Sequence, residues 1–141
     1  MHRFATEHFP HAVAVNDLGY VSYQNENYVL DLWGLGSEEA RRRRKSGDFS
    51  EEDVLELAQK NDVRFAMVYE SWIGEVIPKA WCRVATLETP RVSSGSDTVS
   101  VFLVDLEMEN EIRAALATFA TSLPEKSVLT LGDCLHETPE T

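Results

Sequence analysis

The sequence predicts a small α/β domain, Rossmann-like in two or three layers, with a partly parallel sheet and an antiparallel hairpin. Three observations carry this expectation. Ala12–Val15, Tyr28–Trp33 and Val63–Tyr69 are short apolar runs of the kind that form strands buried on both faces. Segments with helix start and stop signals alternate with them, the pattern of a sheet covered by helices. Two further β-type runs then flank the turn-rich TPRVSSGSD, which reads as a hairpin. A length of 141 residues suits one domain over 1–141, with 132–141 expected as a frayed tail.

Taken in order, Phe4–Phe9 reads as the end of a helix that Pro10 stops. Ala12–Val15 is the first strand. Leu18–Gln24 is expected to form one or two helical turns with Val21 inward, and Asn25, Glu26 and Asn27 to form a turn. Tyr28–Trp33 then returns as a second strand, so strand, short helix and strand suggest a compact parallel βαβ unit. Ser37 is an N-cap, with Glu38 and Glu39 in the first turn, Arg41–Lys45 in the last and Gly47 as the stop. Ser50 opens the next helix, whose expected apolar face is Val54, Leu55 and Ala58 and whose end lies near Asn61.

Val63–Tyr69 is the third strand, and Ile73–Ala80 reads as a loop or irregular helix limited by Gly74 and Pro78. Trp81–Leu87 and Thr98–Leu106 are the hairpin strands. Asn110 is a candidate cap for the clearest amphipathic helix, with Ile112, Ala115, Leu116, Phe119, Ala120 and Leu123 at helical spacing and Pro124 as its stop. Ser127–Leu131 is expected as an edge strand, and Glu137–Thr141 as a polar, frayed end.

A net charge of -11 and a pI near 4.7 argue against nucleic acid as a partner, since phosphate binding needs a basic surface. No apolar run approaches the roughly 20 residues of a membrane helix, and MHRFATEHFPHA lacks the apolar core of a secretory signal. The expectation is a soluble polypeptide without an export signal of its own. Cys82 and Cys134 form no CxxC pair, which gives zinc and thioredoxin-like chemistry no support; one disulfide is arithmetically possible, and two free thiols are the expected state. Among His2, His8, His11 and His136 only His8 and His11 are closely spaced, and Pro10 interrupts them. No metal site, cofactor or hydrolytic triad is expected. NDLGYVSY has a single glycine, which disfavours a dinucleotide site because the pyrophosphate needs a glycine-rich turn.

The candidate ligand-binding residues are Asp17, Tyr20, Tyr23, Asp31, Trp33, Glu70 and Trp72, all at or near predicted strand ends. Ligands bind beyond the carboxyl ends of parallel strands, and aromatic faces beside carboxylates suit a carbohydrate. The competing role is structural: Asn and Asp routinely close turns, and tryptophan and tyrosine usually pack. Asn16, Gly19 and Gly34 are read as turn-forming residues. Arg41–Lys45 is the strongest basic cluster, and a solvated helix end paired with Glu38 and Glu39 is its expected state, ahead of a contact with lipid phosphates or an anionic partner surface.

The block AVAVNDLGYVSYQNENYVLDLWGLGSEEARR resembles a segment near the C-terminus of bacterial integral-membrane glycosyltransferases of the GT-C type. These are similar to dolichyl-phosphate-mannose-dependent mannosyltransferases and mycobacterial arabinosyltransferase-like proteins. The resemblance rests on Asp17 and Gly19, Tyr20 and Tyr23, then Val29, Asp31, Gly34 and Leu35, and its order extends over Phe4–Leu106. It implies an extracytoplasmic domain attached to a membrane transferase that uses a polyprenyl-phosphate sugar. The family's catalytic aspartate lies in a loop between membrane helices, and no position here matches it. The resulting expectation is a non-catalytic accessory domain that positions a glycan or polyprenyl-linked sugar, partnered by the membrane-embedded part. Two alternatives stand beside it: a protein-interaction scaffold without a ligand, and a small metal-dependent enzyme with Asp17, Asp31 and Glu70 around a cation.

Overall fold

In the computed structural model, which describes residues 1–90 and 98–134, six strands form one sheet. They are β1 (Val13–Val15), β2 (Val29–Asp31), β3 (Phe65–Val68), β4 (Cys82–Glu88), β5 (Thr98–Leu103) and β6 (Val128–Leu131), in the order β2-β1-β3-β5-β4-β6. β1 is parallel to both neighbours, with Val13 opposite Val29 on one side and Phe65 on the other. The remaining pairs are antiparallel. The α/β class, the parallel unit and the hairpin are therefore as expected.

Period-two alternation gives the sheet two buried faces. Val13, Val15, Phe65 and Met67 point to one face, where they meet Phe4 and Phe9 of the N-terminal π-helical turn (Phe4–His8). Ile112, Leu116 and Phe119 of α4 (Glu109–Ala120) close the same layer. Ala14, Ala66, Val68 and Phe102 point to the other face. There they pack on Ala40 of α1 (Glu38–Lys45), Val54 and Leu57 of α2 (Glu51–Lys60) and Ile73 of α3 (Glu70–Ile73). The result is three layers, with helices on both sides of the sheet.

Local signals account for most element ends. The Ser37 hydroxyl accepts the Ala40 N–H and starts α1. Ser50 and Asp53 form a reciprocal capping box on α2. Gly34 has φ +95, and its backbone lies against the Cα of Arg41, so glycine is needed there for both conformation and space.

Several expectations require correction. Leu57, not Leu55, completes the apolar face of α2; Leu55 is exposed. Asn110 lies within α4, which follows a 3-10 turn (Leu106–Met108) capped by the Asp105 side chain. α4 ends at Ala120, ahead of Pro124, and Ala120 itself faces solvent. Ile73–Ala80 is loop and irregular helix as expected, with a 3-10 turn (Gly74–Val76), but a helical turn, α3, runs into it and ends at Ile73. The cysteines are not free: Cys82 and Cys134 are joined in a disulfide with Cα atoms 5.3 Å apart. This bond, with the Gly132 N–H donating to the Val84 carbonyl at 2.7 Å, ties residues 132–134 to β4, so that part of the tail is not frayed. Residues 91–97 of the hairpin turn, together with His136 and Glu137–Thr141, lie outside the described residues.

Candidate functional site

The carboxyl ends of β1, β2 and β3 share one edge of the sheet because these strands are mutually parallel. The chain leaves β1 toward β2 on one side, while β3 lies on the other, so a topological switch point falls between β1 and β3. Most of the sequence-predicted residues converge here, with roles that differ.

Asp31 is a turn builder. It is 1% exposed, and its two carboxylate oxygens accept the N–H groups of Trp33 at 2.9 Å and Gly36 at 2.7 Å. Both oxygens are thus committed to the loop that presents Trp33. Asn16 has a similar task between strands: its Oδ1 accepts the Tyr69 N–H at 2.9 Å, while its buried Nδ2 has no partner among the described residues. Asp17 faces the Tyr69 hydroxyl, which donates to it at a long 3.5 Å. Burial, aided by the Asp17 charge, holds the Tyr69 phenol above its ordinary range. Gly19 has φ +22 and sits against the Asp17 carboxylate.

The aromatic residues divide around Tyr69. On one side Tyr20 and Tyr23 are exposed and stacked at 5.3 Å, with His2 against Tyr20 at 4.4 Å. Tyr20 and His2 line a recess of about 470 Å³ together with Asp17, Leu87 and Phe119, and Tyr23 touches it only through Tyr20. On the other side the Trp72 ring contacts Tyr69 at 5.3 Å and Trp33 at 5.4 Å. The Arg44 guanidinium lies 4.3 Å above the Trp33 ring and 5.2 Å from Phe49. Below this assembly opens a cleft of about 640 Å³ between the end of α1 and α3, walled by Arg44, Phe49, Glu70, Ser71, Trp72 and Glu75. Glu70 is oriented by Arg83, whose guanidinium donates to it at 2.9 Å.

Trp33, Glu70 and Trp72 therefore belong to one site, and Asp17, Tyr20 and Tyr23 to a neighbouring one. Sequence reasoning missed Arg44 and Phe49. Arg44 was submerged in a run of four arginines, and Phe49 sits alone in a polar loop. The expected pairing of the basic run with Glu38 and Glu39 holds only for Arg43, which donates to Glu39, Asp53 and Glu56 at 2.8–2.9 Å. That network staples α1 to α2. It raises the Arg43 pKa, and the hydrogen bond from Lys60, followed by that from Arg43, lowers that of Glu39. Among the described residues no group of three or more His, Cys, Asp or Glu side chains could hold a metal ion; Asp17, Asp31 and Glu70 each face a different protein partner. Among the same residues no helix is long and apolar enough to cross a membrane.

No curated protein and no solved structure matches the chain significantly. A family model described as a domain of unknown function (DUF8728) matches residues 1–102, a span that contains the three parallel strands and every residue named in the walls of the cleft. On that match, which covers most of its length, the chain belongs to the DUF8728 family.

Proposed function

We propose that this chain is a non-catalytic, glycan-binding accessory domain of a membrane glycosyltransferase, and that the cleft beside Trp72 receives the sugar. The observation that carries the reading is the composition of that cleft. Trp72 and Phe49 offer apolar ring faces, while Glu70, Ser71, Glu75 and Arg44 offer acceptors and donors at its rim, with Glu70 oriented by Arg83 and Arg44 by the Trp33 and Phe49 rings. Stacking plus oriented polar partners is what recognition of a saccharide ring requires. A polyprenyl-linked sugar or an acceptor glycan meets this description equally well. The resemblance of the block from Ala12 to Arg42 to transferase appendages supplies the attachment to a membrane-embedded partner.

An extracytoplasmic location follows from the same reading and is supported by the Cys82–Cys134 disulfide. Structural disulfides persist in oxidising compartments and are rare where thiols are kept reduced. No group here is assigned a catalytic role.

Calorimetric titration of the chain with a panel of neutral mono- and oligosaccharides tests the proposal. Heat that saturates at millimolar ligand, and that disappears in Trp72→Ala, is the expected result. Absence of heat across the panel, or binding unaffected by Trp72→Ala, overturns it in favour of a scaffold that binds no sugar.

A further inference from the structure

We propose that the loop after β2 and the outer face of α1 form a docking surface for an anionic lipid bilayer. Four features meet there. Leu35 is 82% exposed at the tip of the loop, next to Gly34, whose backbone lies on Arg41. Arg41, Arg42 and Lys45 are exposed and have no ion pair among the described residues, unlike Arg43. Lys45 stands four and three residues beyond Arg41 and Arg42, so the three cations share one helix face. Trp33 and Trp72, each more than a third exposed, stand beside them under Arg44.

Charge complementarity selects the occupant. The chain carries a net charge of -11, yet this face concentrates unpaired cations, with Glu38 the one acid at the start of the same helix face. Screening over roughly 8 Å at physiological salt confines the distant acids to their own surroundings, so the local sign governs contact. A protruding leucine, interfacial indoles and flanking arginines are the residue types that enter the headgroup boundary together. An acidic protein surface would satisfy the cations but leave Leu35 without a partner.

Trp72 belongs both to this surface and to the cleft, but Leu35, Arg41, Arg42 and Lys45, the positions that the test changes, do not line the cleft, so the outcome is separable from the sugar reading. The surface places the mouth beside Trp72 at the lipid boundary.

The test is co-sedimentation of the full chain with vesicles of phosphatidylcholine alone and of phosphatidylcholine mixed with phosphatidylglycerol, at low and high salt. Binding to the mixed vesicles, reduced by salt and accompanied by a blue shift of indole fluorescence, is expected. Each lost cation weakens partition roughly five-fold, so R41Q/R42Q/K45Q should weaken it about a hundred-fold. Leu35→Asp should also abolish binding; all four positions are exposed, and an unchanged circular dichroism spectrum confirms that the variants fold. No binding to the mixed vesicles at low salt overturns the proposal, as does equal binding by the triple variant. Retention on immobilised polyglutamate without vesicle binding also overturns it, in favour of an acidic protein partner.

Discussion

Replacing Asp31 tests how the carboxyl edge of the sheet is built. The wild-type carboxylate is buried and accepts two backbone N–H groups, from Trp33 and Gly36. A hydrogen bond to a charged acceptor contributes about 1.5–3 kcal/mol. Both donors belong to exposed residues, so water can reach them once the carboxylate is gone, and the lower end of that range applies. Asp31→Asn keeps one acceptor and turns an amide donor toward the other N–H, which predicts a loss of about 1.5 kcal/mol. Asp31→Ala removes both acceptors and predicts about 3 kcal/mol. Urea denaturation followed by circular dichroism measures both values, with a lowered midpoint and an unchanged slope. Losses under about 0.5 kcal/mol in both variants, the range of an ordinary surface change, would refute the assignment of Asp31 as the turn builder.

Three further predictions concern the scaffold. Gly34→Ala should destabilise by at least about 2 kcal/mol, because a Cβ would meet the Arg41 backbone at 2.8 Å and φ +95 is unfavourable for alanine; thermal melts read the loss. Cys82→Ser with Cys134→Ser should cost up to about 4 kcal/mol, from release of a loop whose ends are 52 residues apart, and reductant should lower the wild-type melting temperature but leave the double variant unchanged. Asp53 is held below the usual carboxylate range, first by the Ser50 N–H and then by Arg43 and the Ser50 hydroxyl. A depressed folded pKa contributes stability that is complete above the unfolded value near 4 and is lost as pH falls through the folded value. Asp53→Asn should therefore flatten the acid limb of a stability–pH profile below about pH 4 and lower stability at neutral pH.

The parallel core was legible because its strands are buried on both faces: Val13–Val15 and Phe65–Val68 read as apolar runs whatever their partners. Ser37 and Ser50 were legible as caps because capping is local chemistry. Leu55 was misread because a short helix with few apolar residues leaves its phase open, and burial of Leu57 sets it. Asn110 was misread because a 3-10 turn capped by Asp105 runs directly into the last helix, which begins at Glu109, ahead of the apparent cap. The disulfide was invisible because nothing in the spacing of Cys82 and Cys134 shows that β6 returns beside β4.

The candidate site follows the same division. Position at strand ends singled out Trp33, Glu70 and Trp72, and they do meet. Arg44 and Phe49 enter only through tertiary packing, where the last turn of α1 folds back over Trp33. Asp31 was visible as a carboxylate at a strand end, but only the fold shows that its oxygens are spent on backbone amides.

The central claim is that a sugar enters the cleft beside Trp72. Its most direct test uses the three tryptophans as separate reporters, since each indole N–H gives its own signal in a nitrogen-edited NMR spectrum. Trp72 lines the cleft and the Trp33 ring packs against it, whereas Trp81 is buried against Phe102. On addition of a binding saccharide at millimolar concentration, the account predicts progressive, saturable shifts of the Trp72 and Trp33 signals with the Trp81 signal unmoved. Three stationary signals across the saccharide panel, or equal movement of all three, would contradict it.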